Sequence, residues 1–136
     1  MAQVSQQPGY GLRVALDIPY DQAVTAVTEA LKTQGFGVLT EIDVKATMKK
    51  KLDKNLPPYL ILGACNPGLA FRALSNEVDI GLLLPCNVVV YKTDETGKTI
   101  VAAIDPEAMM SVTDNPELTK VALEAKALLV QALESL

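Results

Sequence analysis

Cys65 and Cys86 stand in near-copies of one phrase. Leu62-Gly63-Ala64-Cys65-Asn66-Pro67 is followed 21 residues later by Leu83-Leu84-Pro85-Cys86-Asn87-Val88. Each Cys-Asn pair falls where an apolar run meets a turn-forming residue, which places both thiols at the ends of buried strands. If those strands are neighbours, the sulfurs converge on one pocket as ligands for a soft metal, as a redox pair, or as a nucleophile and its partner. Asn66 and Asn87 would then orient a ligand carboxylate or carbonyl beside the thiols. Each residue also has a plainer reading. Buried cysteine is a common small hydrophobe that fills aliphatic cores. Asn66 serves as a helix cap, and Asn87 satisfies backbone groups at a strand end. Asp105, before Pro106, either caps the following turn or supplies a carboxylate base at the end of the sheet.

The composition narrows this chemistry. The chain has no histidine, so Ser-His-Asp and Cys-His pairings, an imidazole base and His metal ligation are all absent within one chain. Catalysis would have to run on carboxylates, lysines, tyrosines or thiols. Two sulfurs do not complete a tetrahedral structural zinc site, so a four-sulfur site would require a second chain to bring its own pair across a dimer axis. The net charge of −4 disfavours nucleic-acid and membrane-surface binding, since affinity for polyanions comes mainly from Lys and Arg. No Walker loop or dinucleotide glycine fingerprint occurs.

Five of the twelve basic residues, Lys45, Lys49, Lys50, Lys51 and Lys54, fall in one run. A run of this kind is a solvated helix face or an anion site, and it contains no aromatic residue to interleave with bases.

The remaining composition describes the body that must position these groups. Hydrophobic residues make up 49% of the 136 positions but aromatics only 4%, so the core is aliphatic and offers few stacking platforms. A chain of this length is expected to form one domain that folds without disulfides or metals. The N-terminus lacks the charged and apolar regions of a secretory signal, and no apolar run reaches the ~18 residues needed to span a bilayer. The expected location is cytoplasmic, where two thiols are free, metal-bound or transiently oxidised.

Along the chain, residues 11–18 read as a strand and 19–34 as a helix with a stripe at Val24, Val27 and Leu31, stopped by Gly35. A strand over 36–42 precedes a short helix capped by Asp43, with Val44, Met48 and Leu52 at helical spacing, ended by Pro57 and Pro58. Tyr59 to Cys65 reads as a strand. Asn66-Pro67 then starts a helix carrying Leu69, Ala70, Ala73 and Leu74. Cys65 therefore sits just before a helix N-terminus, whose unpaired amides favour a thiolate that points toward them.

A short apolar segment over 80–84 is broken by Pro85. Strands over 86–93 and 99–104 flank a turn at 94–98 and form a hairpin. Asp114 or Asn115 caps the last helix, opened by Pro116, with Leu118, Val121, Ala122, Ala125, Leu128, Leu129, Ala132 and Leu133 on one face. Strands interspersed with helices predict a two-layer α/β sandwich, with a mixed sheet of four or five strands and helices mainly on one face. The open sheet face predicts a homodimer.

The strings Tyr59 to Pro67, Ile80 to Val88 and Ile104-Asp105-Pro106, with Gly35-Phe36-Gly37-Val38 and Asp43-Val44-Lys45, resemble the uncharacterised prokaryotic family catalogued as domain of unknown function 302. The resemblance covers most of the chain and implies a small two-layer α/β protein. It brings no activity with it. The functional expectation is therefore a non-catalytic module that binds a small ligand or soft metal at a pocket edged by Cys65, Asn66, Cys86, Asn87 and Asp105, with Cys65 and Cys86 as the metal ligands. The alternatives are a thiol-dependent redox protein or enzyme using the two cysteines, and a purely structural scaffold.

Overall fold

The computed structural model describes residues 2–94 and 96–136. The turn expected at 94–98 includes Glu95, which like Met1 lies outside the described residues. Five strands are interspersed with helices: β1 (Gly11–Leu16), α1 (Tyr20–Thr33), β2 (Gly37–Asp43), α2 (Val44–Leu52), β3 (Tyr59–Cys65), α3 (Pro67–Asn76), β4 (Cys86–Lys92), β5 (Thr99–Ile104), α4 (Pro106–Met110) and α5 (Pro116–Glu134). The apolar segment before Pro85 is a 3-10 helix, Val78–Leu83. Four of the helices start as local chemistry dictates. Asp43, Asn66, Asp105 and Asn115 each accept a first-turn amide on a side-chain oxygen, and Pro occupies the first position after the last three. Gly35 stops α1 at a φ of +84°, a conformation that costs glycine nothing.

The sheet has the order β1-β5-β4-β3-β2, and the expected two-layer α/β sandwich is present. Every pairing is antiparallel, where a mixed sheet was expected. β1 and β2 do run in the same direction, but β5, β4 and β3 lie between them, so no parallel pair forms. One sheet face is buried. Leu12, Val14, Leu60, Leu62, Val88, Val90 and Val101 meet Val27 and Leu31 of α1 and Leu129 and Leu133 of α5. Each such fully buried Leu or Val contributes about 1.5–3 kcal/mol of hydrophobic stabilisation. A second cluster joins Ala73 of α3, Ile80, Met110 of α4, and Leu118, Val121 and Ala122 of α5. α5 thus serves both cores, consistent with the long apolar face read from its sequence.

α2 behaves differently from the expectation. It buries no residue, and Leu52 of its apolar stripe is 63% exposed. The stripe has the helical period, but α2 follows an edge strand whose residues are nearly all exposed, so nothing packs over it. Its lysines line the outside of the molecule at the end of β2 marked by Asp43, which pairs with Leu60 at the beginning of β3.

Candidate functional site

The opposite end of the sheet holds a cavity of about 380 Å³. Here β3 ends at Cys65, β4 begins at Cys86, and β5 passes through Asp105 into α4. The cavity lies at the seam between the two cores, roofed by α3 and α5. Its walls are made of small residues where those helices face each other: Ala70 and Ala73 from α3, Ala122 and Ala125 from α5, and Ala64 from β3. The short side chains at these positions leave a void that longer ones would fill. Met109, Met110, Phe36, Leu69 and Val121 complete an almost entirely apolar lining, and Leu39, Thr40 and Leu74 stand at its solvent side.

Both cysteines line this one cavity, and so does Asn66. In the ladder Cys86 sits opposite Ala64, one residue from Cys65. Cys86 is buried, and burial together with the neighbouring Cys65 pushes its thiol up to about 11. It is therefore a protonated thiol at neutral pH. Cys65 is only partly buried. Of the first amides of α3 beside it, only that of Gly68 lacks a protein acceptor among the described residues. Pro67 has no amide hydrogen, Asn66 Oδ1 accepts the Leu69 amide at 3.3 Å, and the Asn66 carbonyl accepts the Ala70 amide at 2.9 Å.

Asn87 and Asp105 are not brought to the cavity. Asn87 is exposed and lines a shallow neighbouring depression with Leu82, Leu83 and Ile104. Asp105 is 1% exposed and fully engaged: Oδ1 accepts the Glu107 amide at 2.9 Å, while Oδ2 accepts Gln6 Nε2 at 2.8 Å and pairs with Lys126 Nζ at 3.1 Å. Of its two sequence readings, the geometry matches the cap. The lysine run lies at the far end of the sheet and takes no part in the cavity. Among the described residues, no group of three or more His, Cys, Asp or Glu side chains is placed to hold a metal ion.

The sequence model of the family described as domain of unknown function DUF302 matches residues 12–136. The chain belongs to the DUF302 family. Its fold is similar to the crystal structure of an uncharacterized conserved DUF302 protein from Bacillus stearothermophilus. The two are 28% identical, with a TM-score of 0.85 over 92% of this chain and 96% of that one. No curated protein matches. Both cysteine motifs of this DUF302 chain thus lie at one end of the family's sheet. The residues that shape the void between them, the alanines of α3 and α5 and Met109-Met110, carried no site signal in the sequence. Alanine in a helix stripe reads as core, and only the facing of two such stripes makes a hollow. No described helix is long and apolar enough to cross a membrane.

Proposed function

We propose that this protein is a non-catalytic binding module that holds one small, largely apolar molecule in the cavity between β3, β4, α3 and α5. The observation that carries this reading is the cavity itself. Its volume of about 380 Å³ falls in the range of small-molecule sites, and its walls are apolar with a few polar atoms at the edge. Binding at such a site needs no general base and no thiolate. A redox role for the thiol pair is less well supported, because Cys86, which would have to resolve a disulfide formed at Cys65, holds its proton up to about pH 11. A soft metal is less well supported too, since it would have to displace that proton and find further ligands. Two unpaired thiols suit a reducing, cytoplasmic setting.

The module is proposed to work as a homodimer. Alternation along the strands sets Tyr59, Ile61, Val89, Tyr91, Ala102 and Ile104 on the sheet face away from α1 and α5, and all six are only half-buried. Tyr59 and Tyr91 stack there with ring centroids 5.2 Å apart. Arg13 is the one charged side chain that this alternation sets among them, and a second copy would cover the face with the same residues. Sedimentation of the wild type and Tyr91→Lys tests this part; a wild-type monomer removes it.

The ligand reading is tested by native mass spectrometry of protein purified without chelator, alongside Ala122→Phe, which places a ring in the void. The expected result is a retained organic molecule, or one taken up from an added set of apolar compounds, that the variant does not hold. Empty protein that takes up nothing, or a variant that binds as the wild type does, removes the reading.

A further inference from the structure

The lining also constrains what kind of molecule fits. Among the described residues no Asp, Glu, Lys or Arg borders the cavity, so an ionised ligand would lose its hydration with no counter-charge to replace it. Among the described residues Phe36 is the one aromatic residue in the wall, so a planar aromatic ligand has no pair of rings to stack between. The other walls are aliphatic, and the unbranched side chains of Met109 and Met110 adapt their shape to a flexible chain. A cavity of roughly 150 Å³ accommodates benzene, so this one suits on the order of ten carbon atoms.

The polar edge has a definite sense. Asn66 Oδ1 is committed to the Leu69 amide at 3.3 Å, and the side-chain amide is held against Gly35, where a Cβ would stand 3.1 Å from Nδ2. Among the described residues nothing accepts a hydrogen bond from Asn66 Nδ2. Asn66 borders the cavity, and with its oxygen taken, Nδ2 is the side-chain atom left for a ligand; it is open to solvent rather than buried.

We infer that the ligand is a neutral, flexible aliphatic compound of about ten carbons bearing one accepting oxygen (a ketone, aldehyde, ester or alcohol), with the chain between α3 and α5 and the oxygen at Asn66 Nδ2. This rests on the reading of the cavity as a small-ligand site.

The test measures binding of 2-undecanone, 1-decanol, decanoate and 2-naphthol by calorimetry at pH 7.5. The ketone and the alcohol are expected to bind at least tenfold more tightly than decanoate or naphthol. Ala122→Phe, or Ala73→Leu if the first fails to fold, abolishes binding of both. Asn66→Asp keeps the cap acceptor but removes the donor, and is expected to weaken the ketone several-fold while leaving helix content unchanged. Decanoate or naphthol binding as tightly as the ketone would overturn the ligand class and leave the cavity reading standing. An unchanged ketone affinity in Asn66→Asp would overturn the role of Nδ2. Failure of all four probes would overturn the cavity reading, and this inference with it.

Discussion

Lys126 Nζ of α5 reaches Asp105 Oδ2 at 3.1 Å, closing a polar knot in an otherwise apolar end of the molecule. Gln6 Nε2 donates to the same oxygen at 2.8 Å, and Lys126 also meets Glu107 Oε1 at 2.9 Å. One carboxylate therefore ties the N-terminal segment, the β5–α4 junction and the long helix together. Its burial makes the partners necessary, because an uncompensated buried charge is costly.

Replacing Lys126 by Met keeps most of the stem and removes the charge. We expect a loss of about 1–3 kcal/mol at pH 7, below the cost of breaking a fully buried pair because Lys126 is 24% exposed. The hydrogen bonds to Glu107 and Asp105 raise the Lys126 pKa. The sign follows from that direction. The ammonium's contribution is complete below the unfolded lysine value of about 10.4 and is lost as pH rises through the higher folded value. Urea unfolding of wild type and Lys126→Met should therefore show a gap at pH 7 to 9 that narrows above about pH 10.5. A gap that stays constant to pH 11 would show that the pair contributes packing alone.

Cys86 gives a second alkaline signature from different physics. Its folded thiol holds its proton up to about 11 because burial disfavours the thiolate. An unfolded cysteine releases it near 8.5, so the folded state binds more protons between these values, and stability falls as pH rises through them. The loss amounts to about 2–3 kcal/mol by pH 11. Cys86→Ala should cost about 1–2 kcal/mol at pH 7 from lost packing, then close on or overtake the wild type by pH 10.5. Parallel curves for the two proteins over this range would refute the assignment.

Gly63 lets three strands meet beside the cavity. A Cβ there would fall far inside contact distance of the Thr40 hydroxyl and 2.9 Å from Pro85 Cγ. Gly63→Ala should cost about 1–3 kcal/mol, the range for overpacking. Thr40→Ala should return part of that loss, since only its Oγ1 is the severe clash and Thr40 Cβ would lie at 3.6 Å. A double-mutant cycle measures this coupling, and strict additivity would mean the strands separate instead of pressing on Thr40.

The parts of the fold legible in the sequence are those set by neighbours in the chain. Asn66 with Pro67 and Asn115 with Pro116 specify helix starts through hydrogen bonds spanning two or three residues, and the structure has both. The seven buried residues of α5 follow the 3.6-residue period that the sequence displays. Longer-range placement left weaker marks. The stripe of α2 has the helical period but belongs to a short, lysine-rich helix and stays exposed, whereas the longer stripe of α1 is covered. Strand direction depends on which strands lie between β1 and β2, not on the strands themselves. At the site, the repeated Cys-Asn phrase did lead to one sheet end and one cavity for Cys65, Asn66 and Cys86. Asn87 followed the strand alternation to another surface, and Asp105 was taken up by Gln6 and Lys126, partners 99 and 21 residues away in the chain.

The two thiols should differ in accessibility, and the way they differ reports on the cavity. Cys65 is partly exposed and Cys86 is 8% exposed. In native protein a maleimide should modify Cys65 first, with Cys86 reacting only as the structure opens. Because Cys65 borders an apolar void, a neutral N-octylmaleimide should be drawn in ahead of reaction. A charged reagent such as iodoacetate gains nothing there, since the lining offers no counter-charge. The ratio of the two rates at Cys65, each normalised to the same reagent's rate with glutathione, should exceed one by about tenfold or more, as expected for burying several methylenes. Filling the void with Ala122→Phe should return the ratio toward one without blocking the reaction outright. Peptide mapping by mass spectrometry reads both sites at once. Equal modification of Cys65 and Cys86 would show that the cavity opens as a unit in solution, and an unchanged ratio in Ala122→Phe would show that the octyl chain binds elsewhere.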